Sequence, residues 1–188
     1  QDEAGKVDLN IGSEALLRAV LLGLGAGEAA ADAILDYRDE DDTRRPAGAE
    51  RAEYLAAGRA RGPRNGPFLA VEELAGVLGL TQTDVDRLSP LVTIYSGLNG
   101  IDTSVAPKPL LRAVAQGLER GGGLFESEGV TGLERMADAG ALPAQLLASS
   151  TRRAFVIRSK ARIAGGATFV REATVEFLAS STSAFILR

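Results

Sequence analysis

The hydrophobic period of this chain changes once, from about 3.6 residues to two, over the last forty of its residues. Before that point apolar residues recur at helical spacing in short runs cut by glycine and proline. Beyond it, Phe155, Ile157 and Ser159 alternate with Val156, Arg158 and Lys160. Gly165 and Gly166 supply a hairpin turn, Thr168 to Leu178 alternates again, and Ser180 to Ser183 turns into Ala184 to Leu187. Helices and strands segregated along a chain give an α+β fold. Three strands from one end make a thin antiparallel sheet, which needs cover on one face to be stable.

The helical part repeats itself. Ser13 caps a helix predicted over Glu14 to Leu22, Gly23 to Gly27 breaks it, and a second helix starts at Glu28 with Ala29, Ala30, Ala33, Ile34 and Tyr37 on its apolar face. Asp32, Asp36 and Arg38 fall largely off that face. Asp39 to Gly66 reads as an ordered loop with one helical turn around Glu50 to Ala57. Val71, Leu74, Val77 and Leu78 form a further helical stripe, and Thr81 or Thr83 caps a helix ending near Leu88. Leu91 to Tyr95 is β-prone. Asp102 to Leu118 then restates the opening, with Leu16–Val20 recurring identically as Leu110–Val114. Helical signals continue through Leu133 to Leu147.

Composition narrows the chemistry. In 188 residues, 45% are hydrophobic and 24% charged, which is globular, and the length suits one substantial core or two small ones. Cysteine and histidine are absent. That removes thiol nucleophiles, Cys/His zinc sites and His-based triads. The net charge of −4 lacks the basic footprint of a nucleic-acid binder. Residues 1 to 50 hold five Lys/Arg against twelve Asp/Glu, so the acid sits at the front. No run approaches the eighteen or so apolar residues that span a bilayer. A chain opening on Gln1 is expected to be processed or trimmed, with any targeting segment upstream.

Two motifs carry candidate chemistry. Leu21 to Ile34, with Gly23, Gly25 and Gly27, resembles a helix-hairpin-helix unit, whose hairpin amides hold phosphates in nucleic-acid enzymes. Here no Lys or Arg lies in the hairpin and Glu28, Asp32 and Asp36 follow it, so a structural or protein-contacting module is expected over a DNA-binding one. The second motif is acidic: Asp36, Asp39, Glu40, Asp41 and Asp42, then Gly48-Ala49-Glu50. Calcium takes six to eight oxygens from carboxylates and loop carbonyls, and such a loop supplies them, although the spacing is not that of an EF-hand. The competing reading is a solvated charge run neutralised by Arg38, Arg44 and Arg45. An oxygen-ligated metal hydrolase has only this cluster in its favour.

In order along the chain, Val7-Asp8-Leu9-Asn10, Ala33 to Asp39 with Asp41-Asp42, Pro46 and Gly48-Ala49-Glu50, Pro63 to Phe68, Glu72-Glu73-Leu74, Leu91 to Ser96, Ala106-Pro107 and Ala184 to Arg188 resemble the soluble part of the K-class minor pseudopilins of type II secretion systems, the general secretion pathway protein K family. The resemblance implies a pilin-like antiparallel sheet into which a large all-α domain of helix-hairpin-helix (SAM-like) type is inserted. Residues 1–10 would end the first pilin segment, 11–148 form the insertion and 149–188 return as the sheet. It further implies a non-catalytic protein at the pseudopilus tip, partnered by I-class and J-class minor pseudopilins. It would be held at the periplasmic side of the bacterial inner membrane by an N-terminal helix outside this chain. Some members bind calcium, which implies Asp39, Asp41, Asp42 and Glu50 as the metal-ligating set.

Overall fold

A computed structural model describes residues 1–121, 142–149, 153–163, 165–177 and 185–187. Among the described residues, five α-helices and five strands follow in order: β1 (Val7–Asp8), α1 (Glu14–Leu24), α2 (Glu28–Arg38), α3 (Arg51–Ala56), α4 (Gln82–Leu88), β2 (Val92–Thr93), α5 (Lys108–Arg120), β3 (Arg153–Arg162), β4 (Thr168–Phe177) and β5 (Phe185–Leu187). The architecture is α+β, with a helical body before an antiparallel three-stranded sheet of order β3-β4-β5. The readings over Leu133 to Gly140 and Ser180 to Ser183 lie outside the described residues.

The body is built on the repeat. Ser13 caps α1 by accepting the Leu16 N–H, and α1 ends where Gly25 takes the left-handed conformation at φ 81°. α1 packs along α5, the second copy of the same sequence, through two close approaches of backbone to backbone. A Cβ on Gly23 would overlap the Ala113 carbonyl, and a Cβ on Gly117 would overlap the Ala19 carbonyl. Ala19 and Ala113, like Gly23 and Gly117, occupy the same place in the two copies, so the crossing has local two-fold symmetry.

The loops before the helices repeat as well. The Asp8 carboxylate accepts the Asn10 N–H at 2.9 Å, and the Asp102 carboxylate accepts the Ser104 N–H at 3.1 Å. Val7 pairs in parallel with Val92, and Ile101 with Leu147. Around these elements Leu9, Leu16, Leu21, Ile34, Phe68, Leu74, Leu88, Leu110 and Leu146 are fully buried in one core.

Two local expectations change. Val71–Gly76 is a short 3-10 helix rather than an α-helix, and Gly79 at a left-handed φ of 98° turns the chain just beyond it. Of the β-prone run Leu91 to Tyr95 only Val92–Thr93 is strand, and it joins β1 in the body, not the sheet. The sheet meets the body where Asp2 bridges Phe155 and the Val156 N–H donates to the Gln1 carbonyl at 3.0 Å, and Val156, Ala173 and Thr174 face Val71, Ile94 and Tyr95 across a shared cleft.

Candidate functional site

The acidic loop hangs from the C-terminus of α2 and closes on the N-terminus of α3. Asp32 and Asp36, expected off the apolar face, are buried at 5% and 0% exposure. The small Ala30, Ala31 and Ala33 bring α2 close enough to its neighbours that every residue from Ala30 to Asp36 is buried. Each carboxylate is matched: Asp32 pairs with Arg18 and accepts the Ala47 N–H at 3.0 Å, and Asp36 accepts the Arg45 guanidinium at 3.0 Å. Gly48 lies so close to Asp36 that any side chain there would displace the carboxylate.

The four proposed ligands differ in their surroundings. Asp39 gives one oxygen to Arg45 at 2.6 Å, while its Oδ1 is buried without a donor. Asp41 is exposed, and the Thr43 backbone N–H at 2.7 Å holds its carboxyl below the usual range. Asp42 accepts the Asn65 side-chain N–H at 2.8 Å. Glu50, the N-cap of α3, is 5% exposed, and neither of its carboxylate oxygens has a partner. Burial first, then the negative charges of Asp36, Asp39, Asp42 and Asp41, push its pKa up to about 7. Glu40 is exposed and takes no part.

Asn65 is the member that sequence reasoning passed over. It arrives from the next loop at a left-handed φ of 47°, donates to the Asp41 carbonyl and the Asp42 carboxylate, and buries its own Oδ1 without a donor. The Pro63-Arg64-Asn65-Gly66-Pro67 turn was its only sequence signal. The arginines answer just part of the charge. Arg38 turns away to the carbonyls of Leu9 and Gly12, Arg44 reaches Glu53 at 3.5 Å, and Arg45 is taken by Asp36 and Asp39.

Asp39 Oδ1, both oxygens of Glu50 and Asn65 Oδ1 are thus acceptors with nothing to accept, a set of hard oxygen donors that fits a calcium ion chemically. Among the described residues, no three carboxylates are gathered at metal-holding distance.

The Gly25 and Ala26 N–H groups of the α1–α2 hairpin donate back to the Leu22 and Leu21 carbonyls, which spends the hairpin amides on closing α1. Among the described residues no helix is long and apolar enough to cross a membrane.

Residues 8–97 match the family described as type II secretion system (T2SS), protein K. A chain of the crystal structure of the GspK-GspI-GspJ complex from the enterotoxigenic Escherichia coli type 2 secretion system has this fold, with a TM-score of 0.61 at 18% identity over 100% of this chain and 75% of that one. No curated protein matches the chain. The family match falls inside the helical body, over β1's Asp8 to just beyond β2, and the fold of the whole chain is that of the matching chain in the solved complex. Over residues 8–97, just under half of its length, the chain is similar to the protein K family of that system.

Proposed function

We propose that the protein caps the tip of the pseudopilus and helps to initiate its assembly, acting by shape and contact without catalysis. The observation that carries this reading is the size of the helical body against the three-stranded sheet that bears it. A fibre of sheet-bearing subunits grows by stacking, and a body this large on one subunit would obstruct the next, so the protein fits only at the end. On this reading residues 1–10 and 149–188 belong to a pilin-like unit and 11–148 to an inserted helix-hairpin-helix domain. Asp2, which bridges the sheet at Phe155, supports that assignment for the first residues of the front segment. An apolar N-terminal helix outside this chain would enter the fibre core and, before assembly, hold the protein at the periplasmic side of the inner membrane.

The partners on this reading are the I-class and J-class minor pseudopilins, which the complex of similar fold contains by name. Mixing the three soluble portions at micromolar concentration and running size exclusion tests it. A ternary species is expected, and three separate peaks would sink the proposal. Asp39, Asp41, Asp42 and Glu50 would hold calcium, joined by Asn65. Bound there, the ion would supply charge to the buried carboxylates and tie the loop after α2 to the turn around Asn65. Calcium is expected to raise the melting temperature and a chelator to reverse it; no response at millimolar calcium retires the site.

A further inference from the structure

We infer that Glu73 is a positioning residue of the ion site, holding the turn that carries Asn65 against the end of α2 without touching the ion. The inference rests on the calcium reading given above and concerns what brings the two loops of that site together.

Asn65 has to be held in place. Its backbone is left-handed at φ 47°, a conformation that costs most L-residues free energy and persists where the surroundings over-determine it. The local backbone gives no such support. Among the described residues, no backbone–backbone hydrogen bond starts or ends within residues 60–69. Side chains hold the turn instead. The Glu73 carboxylate accepts from Arg64 Nε at 2.8 Å and Nη2 at 3.2 Å, from the Leu69 N–H at 3.0 Å and from the Tyr37 hydroxyl at 3.2 Å. Arg64 precedes Asn65 and Leu69 follows it, so the carboxylate grips the turn on both sides of that residue. Asn10 grips it again, accepting the Phe68 N–H at 2.7 Å and donating to the Phe68 carbonyl at 3.1 Å.

The Tyr37 hydroxyl links this grip to the acidic loop. Tyr37 stands in the last turn of α2, just before Asp39, and its ring stacks on Phe68 with centroids 4.8 Å apart. Glu73 thereby ties the Asn65 turn to the helix end from which the acidic loop departs. Asn65 closes the circuit by donating to the Asp41 carbonyl and the Asp42 carboxylate. Both oxygens of Glu73 are engaged by these donors, and the Arg64 guanidinium holds its carboxyl below the usual range. A calcium site built from two loops binds more tightly when their separation is fixed beforehand, because ordering them no longer opposes binding.

The test is calorimetric titration of calcium-stripped protein with calcium chloride, with circular dichroism to show that each variant is folded. Glu73→Gln is expected to weaken calcium binding by roughly tenfold or more, as replacing a residue that orients a metal ligand does. Arg64→Met removes the turn's half of the same contact and should lose a similar factor. The double variant should bind no more weakly than either single one, and additive losses would overturn the shared role. The two substitutions separate positioning from a field effect: deleting a negative charge weakens a cation by Coulomb attraction alone, but deleting a positive one strengthens it. Glu72→Gln deletes the same charge next door, on an exposed side chain, and should bind as the parent does. Equal weakening in Glu72→Gln assigns the effect to charge and overturns the inference. Unchanged or tighter binding by Arg64→Met, or unchanged binding by Glu73→Gln, overturns it while leaving the calcium reading intact. A parent that takes no calcium at millimolar concentration sinks that reading and this inference with it.

Discussion

Glu50 is the residue on which the acidic loop turns. With its pKa raised to about 7, the folded protein holds a proton there that the unfolded chain releases in the ordinary carboxylate range. The sign follows: the stability that this group contributes is complete below the unfolded pKa and is lost as pH rises through about 7. In chelator, the melting temperature of the parent is therefore expected to fall between about pH 5 and about pH 8, and that slope should vanish in Glu50→Gln. The same variant should be more stable than the parent at the upper pH without calcium, and should no longer respond to it. A parent profile flat across this range would show that Glu50 is not held neutral. Asn65→Ala tests the neighbouring loop: it removes the donor to Asp42 and one orphaned acceptor, so the calcium shift should shrink, while the chelated protein loses about 1–2 kcal/mol because alanine is strained at the left-handed φ of 47°.

At the level of elements, the pairing of α1 with α5 makes a symmetric prediction. Gly23→Ala and Gly117→Ala each drive a methyl group into the carbonyl of the facing helix. Each should cost about 1–3 kcal/mol by overpacking, and the two costs should be alike. Urea unfolding measures both, and a neutral result at either position contradicts the close crossing. Asp8 ties a second pair of elements. Its carboxylate accepts Asn10 and Ile11 on its own side and Ser96 and the Gly97 N–H from across the body, a contact 88 positions away in sequence. Asp8→Ala leaves those donors unmatched, which costs roughly 1–3 kcal/mol where water cannot reach the donor, as at the buried Ser96.

For the whole molecule the relevant quantity is how calcium, if it binds only the folded state, shifts the folding equilibrium. At a hundredfold excess over its dissociation constant a ligand contributes about 2.7 kcal/mol. In a chain of this size that corresponds to a rise of roughly 5–10 °C. The shift should appear as one cooperative transition of the helical body, because the loop is anchored at both ends by helices that belong to the core, α2 through Ile34 and α3 through the buried Tyr54. The sheet, joined to the body along the line from Gln1 to Val156, should unfold without sensing the ion.

Much of this was readable in the residues. The change of period set the strands at the C-terminal end, Ser13 marked the start of α1, whose end runs two residues past the expected Leu22 with Gly23 inside the helix, and the identical copies Leu16–Val20 and Leu110–Val114 announced a repeat. These are local facts, decided by capping, turn chemistry and side-chain period within a few residues. The acid cluster was visible too, but as charge without geometry. Which carboxylates Arg45 would satisfy, that Asp36 would sink beneath Gly48, and that Asn65 would arrive from the next loop depend on contacts between segments that share no local pattern. The pairing of β1 with β2 is of the same kind. Sequence determined the elements because short-range physics specifies them; only the tertiary structure decided which buried oxygens were left without partners, because burial is a property of the assembled core.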